Sequence, residues 1–229
     1  RSVCRVLAKS PLLSQLTELQ ISDDTITQSD VQLIGEHSRK LRSLEIAYAE
    51  NSAFPELAAS GLRSLTQLDF NCGWREPPLT RRQLEPFGES EYDQPLSRLV
   101  LRPVEPGFAE AFAAPRFLKL AELAIYDHPV KTPDVTAIVH HLTELSDLTL
   151  NFCRLRDAAA RAIAKSPTLA GLKHLRLTRN QITAKGVEAI LTSEFFSPGT
   201  ELHLAGNPIA DREIKRLQKD LGRSFGNFH

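Results

Sequence analysis

The chain contains no methionine and a single tryptophan, Trp74, in 229 residues. Its three cysteines, Cys4, Cys72 and Cys153, stand far apart. Scattered thiols of this kind make neither a disulfide framework nor a zinc site, and they fit a reducing, cytoplasmic setting. No apolar run approaches the roughly 20 residues a membrane helix needs, so no membrane partner is expected. A signal-peptide pattern is missing at the start. Because the chain opens on Arg1, its natural N-terminus is expected to lie upstream. An excess of either charge is lacking too, since 28 basic residues balance 28 acidic ones. A neutral chain with few stacking aromatics is not expected to bind nucleic acid. Glycine-rich phosphate loops, the nucleophile elbow, H-E-x-x-H and paired C-x-x-C are all absent. No catalytic residue, metal ligand or cofactor site is therefore expected, and the chain reads as a non-enzyme.

What the sequence does hold is one pattern, repeated. The stretch LKHLRLTRNQI from Leu172 places leucines at Leu172, Leu175 and Leu177, an asparagine at Asn180 and an aliphatic residue at Ile182. Seven further copies begin at Leu16, Leu41, Leu65, Leu96, Leu120, Leu145 and Gly199. The second anchor falls at Leu19, Leu44, Leu68, Leu99, Leu123, Leu148, Leu175 and Leu202, at intervals of 25, 24, 31, 24, 25, 27 and 27 residues. A fixed period of this size signals a solenoid of stacked units. The pair at Leu175 and Leu177 reads as a short strand, whose alternate residues face inward. The segment from Thr183 to Ser193 carries Val187, Ile190 and Leu191 at helical spacing, behind Thr183 as N-cap.

The pattern resembles the leucine-rich repeat, L-x-x-L-x-L-x-x-N-x-L. The likeness covers essentially the whole chain and is sharpest from Leu172 to Leu191. Gly186 there occupies the glycine common in the ribonuclease-inhibitor-like class, and the tail from Leu202 resembles a bacterial-type final repeat and cap. The resemblance implies an α/β solenoid: a parallel sheet on the concave face, helices on the convex face, and one domain of about eight repeats over residues 1–229. It also implies that Asn180 satisfies backbone groups at the turn. Gly73, His128 and Cys153 are among the residues that replace this asparagine in other units. Repeat four carries Pro103 and Pro106 where a regular unit would enter its helix, so helix content in repeats two to five is open.

Stacking maps one surface. Equivalent outward residues of neighbouring strands sit about 4.8 Å apart. One column is Glu18, Ser43, Gln67, Arg98, Glu122, Asp147, His174 and Glu201. A second holds Glu45, Asp69, Val100, Ala124, Thr149, Arg176 and His203, and a third Asn71, Arg102, Tyr126, Asn151 and Thr178. Asp23, Tyr48, Cys72, Pro103, Asp127, Phe152, Arg179 and Gly206 lie just beyond. Residues 1–115 hold 12 basic and 16 acidic residues, and residues 116–229 hold 16 and 12, so charge is polarised along the solenoid.

Aromatics and arginines dominate binding hot spots. The candidate partner-binding residues are therefore Arg98, Arg102, Tyr126, Asp127, Phe152, Arg176, Arg179 and His203, with Tyr126 and Phe152 close together at the centre. The competing reading makes them ordinary solvated surface. His174 beside Asp147 and Glu201 is not expected to hold a metal, because a flat face leaves an ion open to water. His140 and His141 read as a solvated helix end. Trp74 either fills space under an irregular loop or anchors a partner. The leading expectation is a monomeric, non-enzymatic scaffold that binds another protein on the concave face. The alternative is a recruiting or regulatory domain of a ubiquitin ligase or GTPase-activating system.

Overall fold

Each second anchor leucine seeds a short strand, and the strands assemble in chain order. The computed structural model describes residues 3–7, 9–22, 25–73 and 75–221. Its eight strands are β1 (Glu18–Ile21), β2 (Ser43–Ala49), β3 (Gln67–Cys72), β4 (Arg98–Arg102), β5 (Glu122–Tyr126), β6 (Asp147–Asn151), β7 (His174–Arg176) and β8 (Glu201–His203). They form one sheet in the order β1 to β8, and every neighbouring pair is parallel. The register sets Leu19, Leu44, Leu68, Leu99, Leu123, Leu148, Leu175 and Leu202 directly beside one another. The six inner leucines of that row are at most 1 % exposed. Leu19 and Leu202 are only partly buried, because the end units of a stack have one neighbour instead of two.

Eight helices return the chain: α1 (Val3–Leu7), α2 (Gln28–His37), α3 (Glu56–Ala59), α4 (Arg81–Glu89), α5 (Thr132–His141), α6 (Asp157–Ala164), α7 (Ala184–Leu191) and α8 (Asp211–Leu221). The expected helix near Thr183 is α7. Thr183 caps it by accepting the Lys185 amide, and Val187, Ile190 and Leu191 are buried on one face. Gly186 is required there by close packing. A Cβ would lie 2.5 Å from Asp157 Oδ1, on the neighbouring helix.

The irregular middle resolves unevenly. Repeats two and four do lack full helices. The first returns through a 3₁₀ turn (Asn51–Ala53) and the four-residue α3, the second through 3₁₀ segments at Phe108–Ala113 and Pro115–Phe117. Repeats three and five keep theirs, as α4 and α5. The long interval after Leu68 therefore contains a nine-residue helix, which starts at the Thr80–Gln83 capping box.

Thin returns leave a wider interior, and phenylalanines fill it. Phe70, Phe54, Phe87, Phe117, Phe112 and Phe108 form an unbroken chain of ring contacts with centroids 5.0–6.0 Å apart. Arg116 closes this cluster from a buried position, 1 % exposed. Its guanidinium lies 4.1 Å over the Phe87 ring and donates to Ser90 Oγ and to the Leu62 and Leu65 carbonyls. Burial pushes its pKa down to about 10, which still leaves it charged at neutral pH. The charge is met by carbonyl dipoles and a ring face instead of a carboxylate.

Candidate functional site

The outward side chains follow the columns read from the sequence. Glu18, Ser43, Gln67, Arg98, Glu122, Asp147, His174 and Glu201 pair strand by strand. Laterally they neutralise one another. Arg98 meets Glu122 at 3.1 Å, His174 meets Asp147 at 2.6 Å, and Arg176 meets Asp147 at 3.5 Å. The His174 contact is close but badly aimed, because Nδ1 makes no directed hydrogen bond despite the distance. Burial alone would raise the Asp147 carboxyl. The Ser146 hydroxyl bond, His174 and Arg176 outweigh it and hold the group below the ordinary carboxylate range. Asp69 moves the other way: burial raises it, although Arg102 stands 3.5 Å away. No cluster that could hold a metal occurs among the described residues.

The middle column is not a free surface in the centre. Val100, Ala124 and Thr149 are only 1–4 % exposed, although the strand phase turns them outward. They are small, and longer residues flank them along their strands: Arg98 and Arg102 on β4, Glu122 and Tyr126 on β5, Asp147 and Asn151 on β6. The centre of the face is thus a shallow floor between two walls.

The second wall carries the notable chemistry. Arg102 stacks on Tyr126, with its guanidinium carbon 4.7 Å from the ring centroid. Arg179 stacks on Phe152 at 5.1 Å. Tyr126 and Phe152 make no ring contact with each other among the described residues; each is taken by an arginine instead. The two residues sit in adjacent units, with Tyr126 in register beside Asn151, and form two separate cation–aromatic pairs. Arg98 and Arg176 do not stack and belong to the ion-pair wall. His203 lies at the edge, 3.9 Å from Glu201.

Phe152, Arg179 and Asp127 share an unusual backbone. Tyr48, Asp127, Phe152 and Arg179 have φ between 54° and 60°, and Gly206 in the equivalent place has φ 71°. Each stands four residues after an anchor leucine. A left-handed turn at a non-glycine residue costs about 1 kcal/mol or more. Backbone ladders and asparagine hold the turn in place. Phe152, Asp127 and Arg179 donate their amides to the Thr178, Asn151 and Ala205 carbonyls of the next repeat. Asn180, 6 % exposed, accepts from the Cys153 and Leu155 amides and donates to the Leu150 and Leu177 carbonyls. Asn207 repeats the arrangement with Ile182, Leu177 and Leu204. Cys153, in the asparagine position of its own unit, gives its thiol to the Ile125 and Asn151 carbonyls.

Repeats three and four abandon the left-handed turn, with Cys72 and Pro103 in that place. A recess of about 450 Å³ opens there, between the turns of repeats two and five. Tyr48, Asn71, Arg102, Tyr126, Asp127 and His128 line it. Sequence reading did not single out Tyr48 or the recess. The signal was present in the offset that Tyr48 shares with Phe152 and Gly206. Trp74, the other proposed anchor, lies outside the described residues.

A family model described as Leucine Rich repeat matches residues 172–191. That span is a leucine-rich repeat, and the stacked parallel strands give the chain the leucine-rich-repeat fold. A search of curated proteins by sequence returns no match. Among solved structures, a Bacteroides fragilis protein superposes with a TM-score of 0.57 at 12 % identity, covering 96 % of this chain and 67 % of its own. Internalin C2 from Listeria monocytogenes superposes with a TM-score of 0.55 at 16 % identity, covering 95 % and 80 %. Likeness at such identities concerns the leucine-rich-repeat fold alone.

Proposed function

We propose that this leucine-rich-repeat protein is a non-enzymatic scaffold that engages another protein on its sheet face. The observation that carries the reading is the second wall. Two cation–aromatic pairs stand beside a recess: the half-buried Arg102–Tyr126 pair at strand ends, and the more exposed Arg179–Phe152 pair on two left-handed turns. Phe152 is 43 % exposed and Tyr48 52 %, two of the five exposed large apolar side chains among the described residues. A rigid surface of this kind lowers the ordering cost of association. Strain kept at turns that present exposed aromatics fits a binding role.

Site-directed photo-crosslinking tests this reading. The native thiols do not interfere, because all three are buried and burial pushes Cys72 and Cys153 up to about 12. Thr178→Cys places a maleimide crosslinker on the sheet face, and Arg161→Cys places one on the exposed side of α6. A captured partner should crosslink from position 178 and not from 161. The reverse result would move the site to the helical face.

A further inference from the structure

The arginines of the sheet face divide into two kinds. Arg98 and Arg176 meet Glu122 and Asp147 and stack on no ring among the described residues, whereas Arg102 and Arg179 each stack on one. Arg179 has no carboxylate within 4.0 Å among the described residues, and its contact is the Phe152 ring. Arg102 has only Asp69, at 3.5 Å, and its buried Nε has no hydrogen-bond partner. An orphan donor of this kind in a native fold calls for an acceptor. Stacking fixes the plane of a guanidinium while leaving its N–H edges free, a geometry matched to a carboxylate fork.

The spacing adds a second constraint. Arg102 ends β4, and Arg179 follows β7 on the same wall. Three strand intervals separate them by about 14 Å. An extended chain covers about 13 Å in four residues at 3.3 Å each. Resting on the sheet-face reading above, we infer that the partner presents an extended acidic segment running across the strands. One carboxylate would seat on Arg102 in the Tyr48–Tyr126 recess, and a second, four residues away, on Arg179 beside Phe152.

The surroundings favour a sparse anion over a dense one. Glu76 and Asp127 border the recess, although neither lies within 4.0 Å of Arg102. Glu76 is turned to the Asn51 amide, and Asp127 stands exposed on its turn. Burial and Arg154 hold His128 below its ordinary range, so it adds no charge at neutral pH. These carboxylates would repel a continuous phosphate backbone while tolerating two spaced acidic groups.

The test uses the full chain and defined probes. Calorimetric titration with acetyl-Gly-Glu-Ala-Ser-Ala-Glu-Gly-amide should give saturable binding. Replacing both glutamates by glutamine should weaken it at least tenfold, as should moving them to adjacent positions. Arg102→Gln and Arg179→Gln should each weaken it several-fold with melting unchanged. Arg102→Lys, which keeps the charge and loses the fork, should resemble Arg102→Gln. Equal binding of the glutamine peptide, or of ten-residue oligothymidylate, would overturn the inference, as would no binding of the acidic peptide. A random peptide display selection then separates the two levels. Selected peptides without acidic residues that still depend on Tyr126 and Phe152 would sink the acidic segment alone. Ligands indifferent to both aromatics would sink the sheet-face reading with it.

Discussion

Repeats six to eight and repeats two to four share one register but solve the same backbone problem differently. In the later repeats, left-handed turns bring polar groups inward, and Asn180 and Asn207 satisfy them one by one. Helices α6 and α7 then pack closely enough to require Gly186. In the earlier repeats the asparagine is missing, the returns of repeats two and four lack full helices, and six phenylalanines with Arg116 occupy the space. The difference teaches that the anchor leucines alone are enough to hold the sheet. Turn and return chemistry are free to vary behind it, and that freedom is what opens the recess beside Arg102.

The comparison breaks hardest at the aromatic cluster. Phe87→Ala removes the ring that touches Phe54, Phe117 and Arg116, so it should cost about 4 kcal/mol in urea denaturation. A loss under about 1 kcal/mol would show that the middle repeats are loosely filled. In the other half, Asn180→Ala takes the asparagine partner from the Cys153 and Leu155 amides and the Leu150 carbonyl, while Leu177 keeps Asn207, and should cost about 3 kcal/mol. Cys153→Ala, at the same place one unit earlier, should cost about 1 kcal/mol. Equal losses at the two sites would deny the asparagine its special role.

A smaller effect concerns the strained turn. Phe152→Asn suits the left-handed backbone better and sacrifices a side chain that is 43 % exposed. Its thermal midpoint should match or exceed the parent's, by up to about 1 kcal/mol in stability, while partner binding falls. A clearly lower midpoint would mean that Phe152 is there for packing.

The smallest effect contrasts two carboxylates. Asp147 has a depressed pKa, so its contribution is present above the ordinary carboxylate range and is lost as pH falls through its folded value. Asp69 has a raised pKa, so the fold prefers it protonated, and stability falls as pH rises from its unfolded to its folded value. Asp147→Asn should therefore destabilise near neutral pH and converge with the parent in acid. Asp69→Asn should not destabilise near neutral pH. Both changes should stay below about 1 kcal/mol, because these groups are partly solvated. Melting curves at pH 3 and pH 7 decide it, and matching signs at pH 7 would contradict the assignment.

Most of the solenoid was legible because the leucine spacing is a direct record of burial. All eight strands follow from it; the N-cap at Thr183 follows from the helical spacing behind it, and the role of Asn180 from the leucine-rich-repeat resemblance. The columns were legible for the same reason, since a parallel in-register stack converts sequence offsets into neighbours. What stayed hidden depends on side-chain choice between repeats. Nothing local marks Arg116 as buried, because its acceptors are carbonyls 51 and 54 residues earlier in the chain. The phenylalanine cluster likewise joins residues from Phe54 to Phe117 that share no motif. At the candidate site, the residue types were readable but their pairing was not. Tyr126 and Phe152 sit in adjacent units, and each ring carries an arginine of its own.

The central claim is that the cation–aromatic wall, not the ion-pair wall or the helices, supplies the binding surface. Surface plasmon resonance of a captured partner against the Tyr126→Ala, Phe152→Ala double variant tests it most directly. Truncating hot-spot aromatics typically costs about 2 kcal/mol each, so the affinity should drop at least about 30-fold, with the melting temperature nearly unchanged. A folded double variant that binds like the parent would contradict the account.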